Sequence, residues 1–175
     1  FRRVLFRSYD FTYRGGAEYF YRLSVHTSPH IDFILPSVGQ PGTIGKFTLY
    51  GRNLPSGQSA GTNMDGEPLQ KLAVSIPIPK DGTSLQSAEN LAPHESALDG
   101  FRYVLKGANG DSNPVFIQFA QSPAVLEKEP NDKPEAAQLI TIPVDLSGQF
   151  QKRGDLAFYM FTAKANEVSY IEVIG

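Results

Sequence analysis

Cysteine is absent from the 175 residues. That removes disulfide staples, thiolate nucleophiles and cysteine-ligated zinc. Tryptophan is absent too, so the largest aromatic face for stacking on sugars is missing. Neither sign of charge dominates: 16 Lys and Arg stand against 18 Asp and Glu. In a balanced chain no basic face is expected, which makes nucleic acid and anionic lipid poor partners. No apolar run approaches the ~20 residues that span a bilayer as a helix. Helical periodicity is scarce as well, and a parallel α/β sheet needs helical crossovers.

What remains is a chain with a hydrophobic fraction of 41%, enough to build a core. Its 16 Gly and 13 Pro are spread along the length and cut it into short runs. Within the runs apolar and polar residues alternate, which is the mark of half-buried strands. About eight such strands joined by turns predict an all-β protein of sandwich type.

The first eight residues, FRRVLFRS, read as a sequencing or assembly scar and are set aside from fold reasoning (1–8). Residues 9–13 and 19–25 flank Gly15-Gly16 and predict a β-hairpin within 9–27, the tail of a preceding sandwich. A sandwich domain is expected over 28–122. Its strands are 31–35, ending at Pro36, and 46–50, with Phe47 and Leu49 inward. Residues 56–68 are polar and read as a loop. Leu72, Val74, Ile76 and Ile78 alternate with Ala73, Ser75, Pro77 and Pro79. Proline cannot donate to a ladder, so this run predicts an edge strand. Residues 80–99 are polar, and 101–105 and 115–119 are strands. Pro123, Pro130 and Pro134 mark a linker over 123–134. A second domain then occupies 135–175, with one helical turn at 135–138 and strands at 139–142, 156–161 and 168–174.

The residues with most chemical promise are Glu127-Lys128-Glu129-Pro130-Asn131-Asp132. In an extended segment Glu127, Glu129 and Asn131 project to one side. A turn at Asn131-Asp132 brings Asp132 round. Hard oxygen donors converging from a short segment suit Ca²⁺. The competing reading is an acidic, solvated linker whose Asn and Asp serve a turn.

No Gly-x-Ser-x-Gly elbow, His-Glu-x-x-His pair or Walker-type loop occurs. His26, His30 and His94 do not share a helix face and read as surface or turn residues. The chain itself is therefore expected not to be an enzyme. Tyr9, Phe11, Tyr13, Tyr19, Phe20 and Tyr21 cluster within 9–27. They serve either inter-strand packing or a sugar-stacking platform.

Two segments carry a family resemblance. The run His30-Ile31-Asp32-Phe33 to Pro36, then Gly39-Gln40-Pro41-Gly42 and Phe47-Thr48-Leu49-Tyr50-Gly51-Arg52-Asn53-Leu54-Pro55, resembles the opening of immunoglobulin-like TIG/IPT domains. The region 56–100 departs from their compact pattern. The second series is Glu129-Pro130-Asn131-Asp132, Ala136-Ala137-Gln138, Gly148-Gln149-Phe150, Gly154-Asp155, Phe158 to Phe161 and Ile171-Glu172-Val173. It looks like the first half of a bacterial pre-peptidase C-terminal (PPC) domain, a jelly-roll-like β-sandwich. The order of the two resembles exported multidomain proteins of planctomycete-type bacteria.

The resemblance implies an immunoglobulin-like sandwich followed by a truncated jelly-roll-like β-sandwich, in a secreted or cell-surface bacterial protein. It also implies a calcium site. In calcium-binding PPC domains of collagenases a Glu-x-Glu-x-Asn-Asp run supplies ligands, joined by acids of a Gly-Asp-x-Asp segment. The implied set is Glu127, Glu129, Asn131, Asp132 and Asp155. Ala157 stands where the second acid of the later segment usually sits, which departs from a full or double site.

Three functions fit. The modules space or anchor other domains of the same chain, with calcium stiffening the linker. Alternatively they accompany the catalytic domain of a secreted peptidase or hydrolase. In a third reading they bind an extracellular glycan or a collagen-like protein.

Overall fold

The structure is a computed structural model, and it describes residues 3, 5–81 and 99–174. Residue 94, with its histidine, lies outside them, as does most of the polar stretch expected over 80–99.

The described residues carry eleven strands and no α-helix. In chain order these are β1 (His30–Leu35), β2 (Val38–Gly39), β3 (Ile44–Arg52), β4 (Gln58–Met64), β5 (Glu67–Pro77) and β6 (Gly100–Tyr103). They continue with β7 (Val115–Phe119), β8 (Ala124–Leu126), β9 (Gln138–Leu139), β10 (Asp145–Ser147) and β11 (Tyr159–Met160). The expected all-β class is present.

Alternation places the core. Along β3, Phe47, Leu49 and Gly51 are buried while the residues between them are half-buried. On β1 the buried residues are Ile31 and Ile34, three apart, which simple alternation would send to opposite faces. A bulge between Ile31 and Phe33 resolves this by shifting the register against β3. Asp32, inside the bulge, turns its carboxylate to Arg52, whose Nη1 donates at 2.8 Å.

Four antiparallel strands form one sheet in the order β1-β3-β5-β4. Three form another, β2-β7-β6, in which β7 is parallel to β2 and antiparallel to β6. Ile31, Ile34, Phe47, Leu49 and Ile76 from the first sheet share one cluster with Phe101, Ile117 and Phe119 from the second. The two sheets therefore face each other over a common core. The Asn113 amide couples them at one side: its Oδ1 accepts from Ile31 N at 2.7 Å and its Nδ2 donates to Ile31 O at 2.8 Å.

Beyond residue 123 the strands are short and paired in parallel, β8 with β10 and β9 with β11. A single 3₁₀ turn spans Pro134–Ala136, close to the expected helical turn.

Several expectations need correction. No hairpin forms over 9–27: the segment carries turns but no strand. Its aromatic side chains stay in solvent, with Phe11 93% and Phe20 90% exposed. A two-stranded hairpin with no sheet to cover it is marginal, and Asp10 diverts the backbone by accepting from Thr12 N and Arg14 N. Residues 56–68 are not a loop but β4 and the start of β5, joined at Asp65-Gly66. Both turn residues have positive φ, 53° and 80°, as a two-residue hairpin turn requires. The proline-bearing run needs no correction: β4 covers β5 only through Lys71, and Leu72 to Pro77 pair with β3 alone, the expected edge. The 123–134 segment is no free linker, because β8 lies within it and is held by β10. Residues 168–174 form no strand, and Val168 is 96% exposed.

Candidate metal centre

The acidic segment begins where β8 ends. Glu127 N donates to Ser147 O at 2.8 Å, which carries the β8–β10 pairing one step further. From there residues 127–132 run beside the chain that leads into β11, and Phe158 N donates to Asn131 O at 3.0 Å. A turn at 151–155 brings up the last acid. Asp155 N donates to Lys152 O at 3.1 Å, and Gly154 supplies the positive φ of 79°. Asp155 tightens this turn through Oδ2, which accepts from Gln151 N at 2.6 Å. Its other oxygen, Oδ1, is left over.

Glu129, Asp132 and Asp155 converge here, with one carboxylate oxygen of each within 4.8 Å of the others. Asn131 is fully buried in their midst. Its backbone N–H donates to Glu129 Oε2 at 3.0 Å and its Nδ2 donates to Glu127 Oε1 at 3.2 Å. These bonds fix the amide and leave its oxygen unengaged. Asn131 Oδ1, Asp132 Oδ1 and Asp155 Oδ1 are the buried side-chain N or O atoms that lack a hydrogen-bond partner among the described residues. A buried acceptor without a donor is costly. Two of the three oxygens belong to the converging carboxylates and the third to the buried amide tied to Glu129 and Glu127, an arrangement that suits a cation rather than another acceptor.

Glu127 plays a different part. Its Oε1 accepts from the Tyr159 hydroxyl at 2.6 Å as well as from Asn131, and its Oε2 accepts from Gln149 N at 2.8 Å. Both oxygens are engaged, so Glu127 orients Asn131 and stands behind the converging group. Burial works against its charge, but the bonds from Tyr159, Gln149 and Asn131 prevail and hold its carboxyl below the usual range. The same environment pushes Tyr159 up to about 12, first through burial and then through its bond to Glu127.

Lys152 provides the nearby positive charge. Its Nζ donates to Asp132 Oδ2 at 3.1 Å and lies 3.6 Å from Asp155 Oδ1. Asp132 raises the Lys152 pKa, chiefly through that bond. Asp155 is held below its ordinary value, first by the bond from Gln151 N.

Of the five residues expected to bind calcium, the structure brings Glu129, Asp132 and Asp155 together with Asn131 beside them, and it sets Glu127 behind. The donor set fits the ion: three carboxylates and an amide oxygen are hard ligands, and calcium tolerates an irregular shell completed by backbone or water. Ala157 is half-buried on the same stretch and contributes no ligand. Sequence reasoning did not single out Tyr159 or Lys152. A tyrosine in an alternating run looks like core, and a lone lysine looks like surface.

The other candidates do not assemble. His26 Nδ1 bonds to Ser28 Oγ at 2.6 Å, while His30 lies 3.8 Å from Asp32. In the aromatic group Tyr9 and Tyr13 stack on each other, centroids 5.0 Å apart, on a segment without strands. No family model, no curated protein and no solved structure matches the chain.

Proposed function

We propose that the chain is a non-catalytic pair of β modules from a secreted or cell-surface bacterial protein. In this reading an immunoglobulin-like sandwich of the TIG/IPT kind precedes part of a PPC-like sandwich, and the pair spaces or anchors other domains of the same protein. Calcium, held by Glu129, Asp132, Asp155 and the Asn131 amide oxygen, ties segment 129–132 to the turn at 151–155. It supplies charge neutralisation and rigidity, not bond-breaking.

One observation carries the reading. Two of the three converging carboxylates, and the buried Asn131 amide beside them in the chain, each carry an oxygen without a hydrogen-bond donor. An acidic linker serving only a turn would leave those oxygens in water. The face-to-face sheets support the architecture but convey no function by themselves.

The test is thermal melting with calcium and with chelator. At a free calcium concentration about 100 times Kd, binding to the folded state alone adds ~2.7 kcal/mol. That corresponds to a rise of about 5–10 °C in Tm for a chain of this size. Asp155→Asn and Glu129→Gln should each remove most of the rise. Identical melting in calcium and chelator ends the calcium reading, and so does a shift that both variants keep.

A further inference from the structure

The geometry points to Lys152 as a built-in competitor for the metal: its ammonium sits on the two carboxylates that a divalent ion must engage, and ion entry displaces it. The inference rests on the calcium reading and adds its regulation.

The site is more than a group of acids. Asn131 is fully buried with Oδ1 unpartnered, and the Asp155 side chain is 3% exposed with Oδ1 lacking a hydrogen bond. Lys152 approaches from outside. Its side chain is 65% exposed, and it reaches Asp132 at 3.1 Å and Asp155 at 3.6 Å. Both contacts fall on residues of the converging set. A divalent ion held by these carboxylates would repel an ammonium held by the same groups. The lysine stem is long and mostly in solvent, so it can swing out at little cost. The consequence is an exchange of one cation for another. Lys152 stabilises the fold when calcium is scarce and raises the calcium concentration needed for binding.

Lys152→Met keeps the stem and removes the charge. Calcium titration by calorimetry should show binding about tenfold tighter than wild type, the order expected for one unit charge beside the ion near a surface. In chelator the variant should melt below wild type, and in saturating calcium the two should coincide. Lys152→Arg should restore wild-type affinity. Equal affinities would overturn the inference and leave the calcium reading standing. No binding by any of the three proteins would overturn both.

Discussion

Tyr159 stands behind the candidate metal centre. Its hydroxyl donates to Glu127 at 2.6 Å, and Glu127 in turn fixes the Asn131 amide. Because this phenol ionises at about 12 rather than 10.0, the folded state binds its proton more tightly than the unfolded state does. The stabilisation is therefore whole below pH 10.0 and is lost as pH rises through about 12. Tyr159→Phe should cost about 1 kcal/mol at neutral pH, the value for a bond to a charged group discounted for partial solvent screening. The gap between variant and wild type should close as pH climbs through that window. Ultraviolet titration of tyrosinate should lose one late-ionising phenol in the variant. A gap that persists unchanged at high pH would mean the bond to Glu127 is not its source. Asp155 entered only through the family resemblance, whereas Glu129, Asn131 and Asp132 were legible in the sequence because they are neighbours. What distinguishes Glu127 from them was not. Five oxygen-bearing residues look equivalent until the donors that reach each oxygen are known, and those donors come from Gln149 and Tyr159.

At the level of elements, alternation located the inner strands and failed where a segment has nothing to pack on. Phe47 and Leu49 are buried as their spacing demands. The same alternation in 19–25 and 168–174 produces no strand, since period two states a preference for a half-buried surface and cannot supply the other half. The opposite error occurred at 56–68, where polar composition hid a hairpin. Its signal was local and readable: Asp65-Gly66 is a favoured pair for a two-residue turn. The bulge on β1 was beyond reach, because it depends on what lies across the ladder. There Gly51 pairs with Ile31, and a Cβ at Gly51 would come within 2.0 Å of His30 O. The obstacle is backbone, so neither rotamer change nor side-chain drift relieves it. Gly51→Ala should destabilise the two-sheet unit by about 2–3 kcal/mol, measured by urea denaturation. A variant as stable as wild type would show that β1 can slide without penalty and that the bulge does not set the register.

Across the whole molecule, the question is what fixes the second unit to the first. Sequence reasoning assigned that task to calcium, on the premise that 123–134 is a flexible linker. The structure places other contacts at the joint. Asp145 Oδ2 accepts from Gln121 N and Ser122 N, both at 2.7 Å, directly after the core strand β7. Ser147 is buried and its Oγ accepts from Ser37 N at 3.1 Å, next to β2. Both come from β10, so one short strand grips the first sheet pair at two points. The candidate metal ligands are not among these contacts: beyond one another they touch Glu127, the 151–155 turn and Phe158. Calcium should therefore stiffen the second unit internally while the joint depends on β10. Asp145→Ala separates these roles. Hydrogen exchange at the Gln121 and Ser122 amides should accelerate by about tenfold or more as their shared acceptor disappears, with calcium unable to restore protection. The calcium-dependent rise in Tm should survive. If calcium did restore those two amides, the ion would be acting through the joint after all, and the path from Glu129 through Glu127 and Ser147 to Ser37 would be the one to break next.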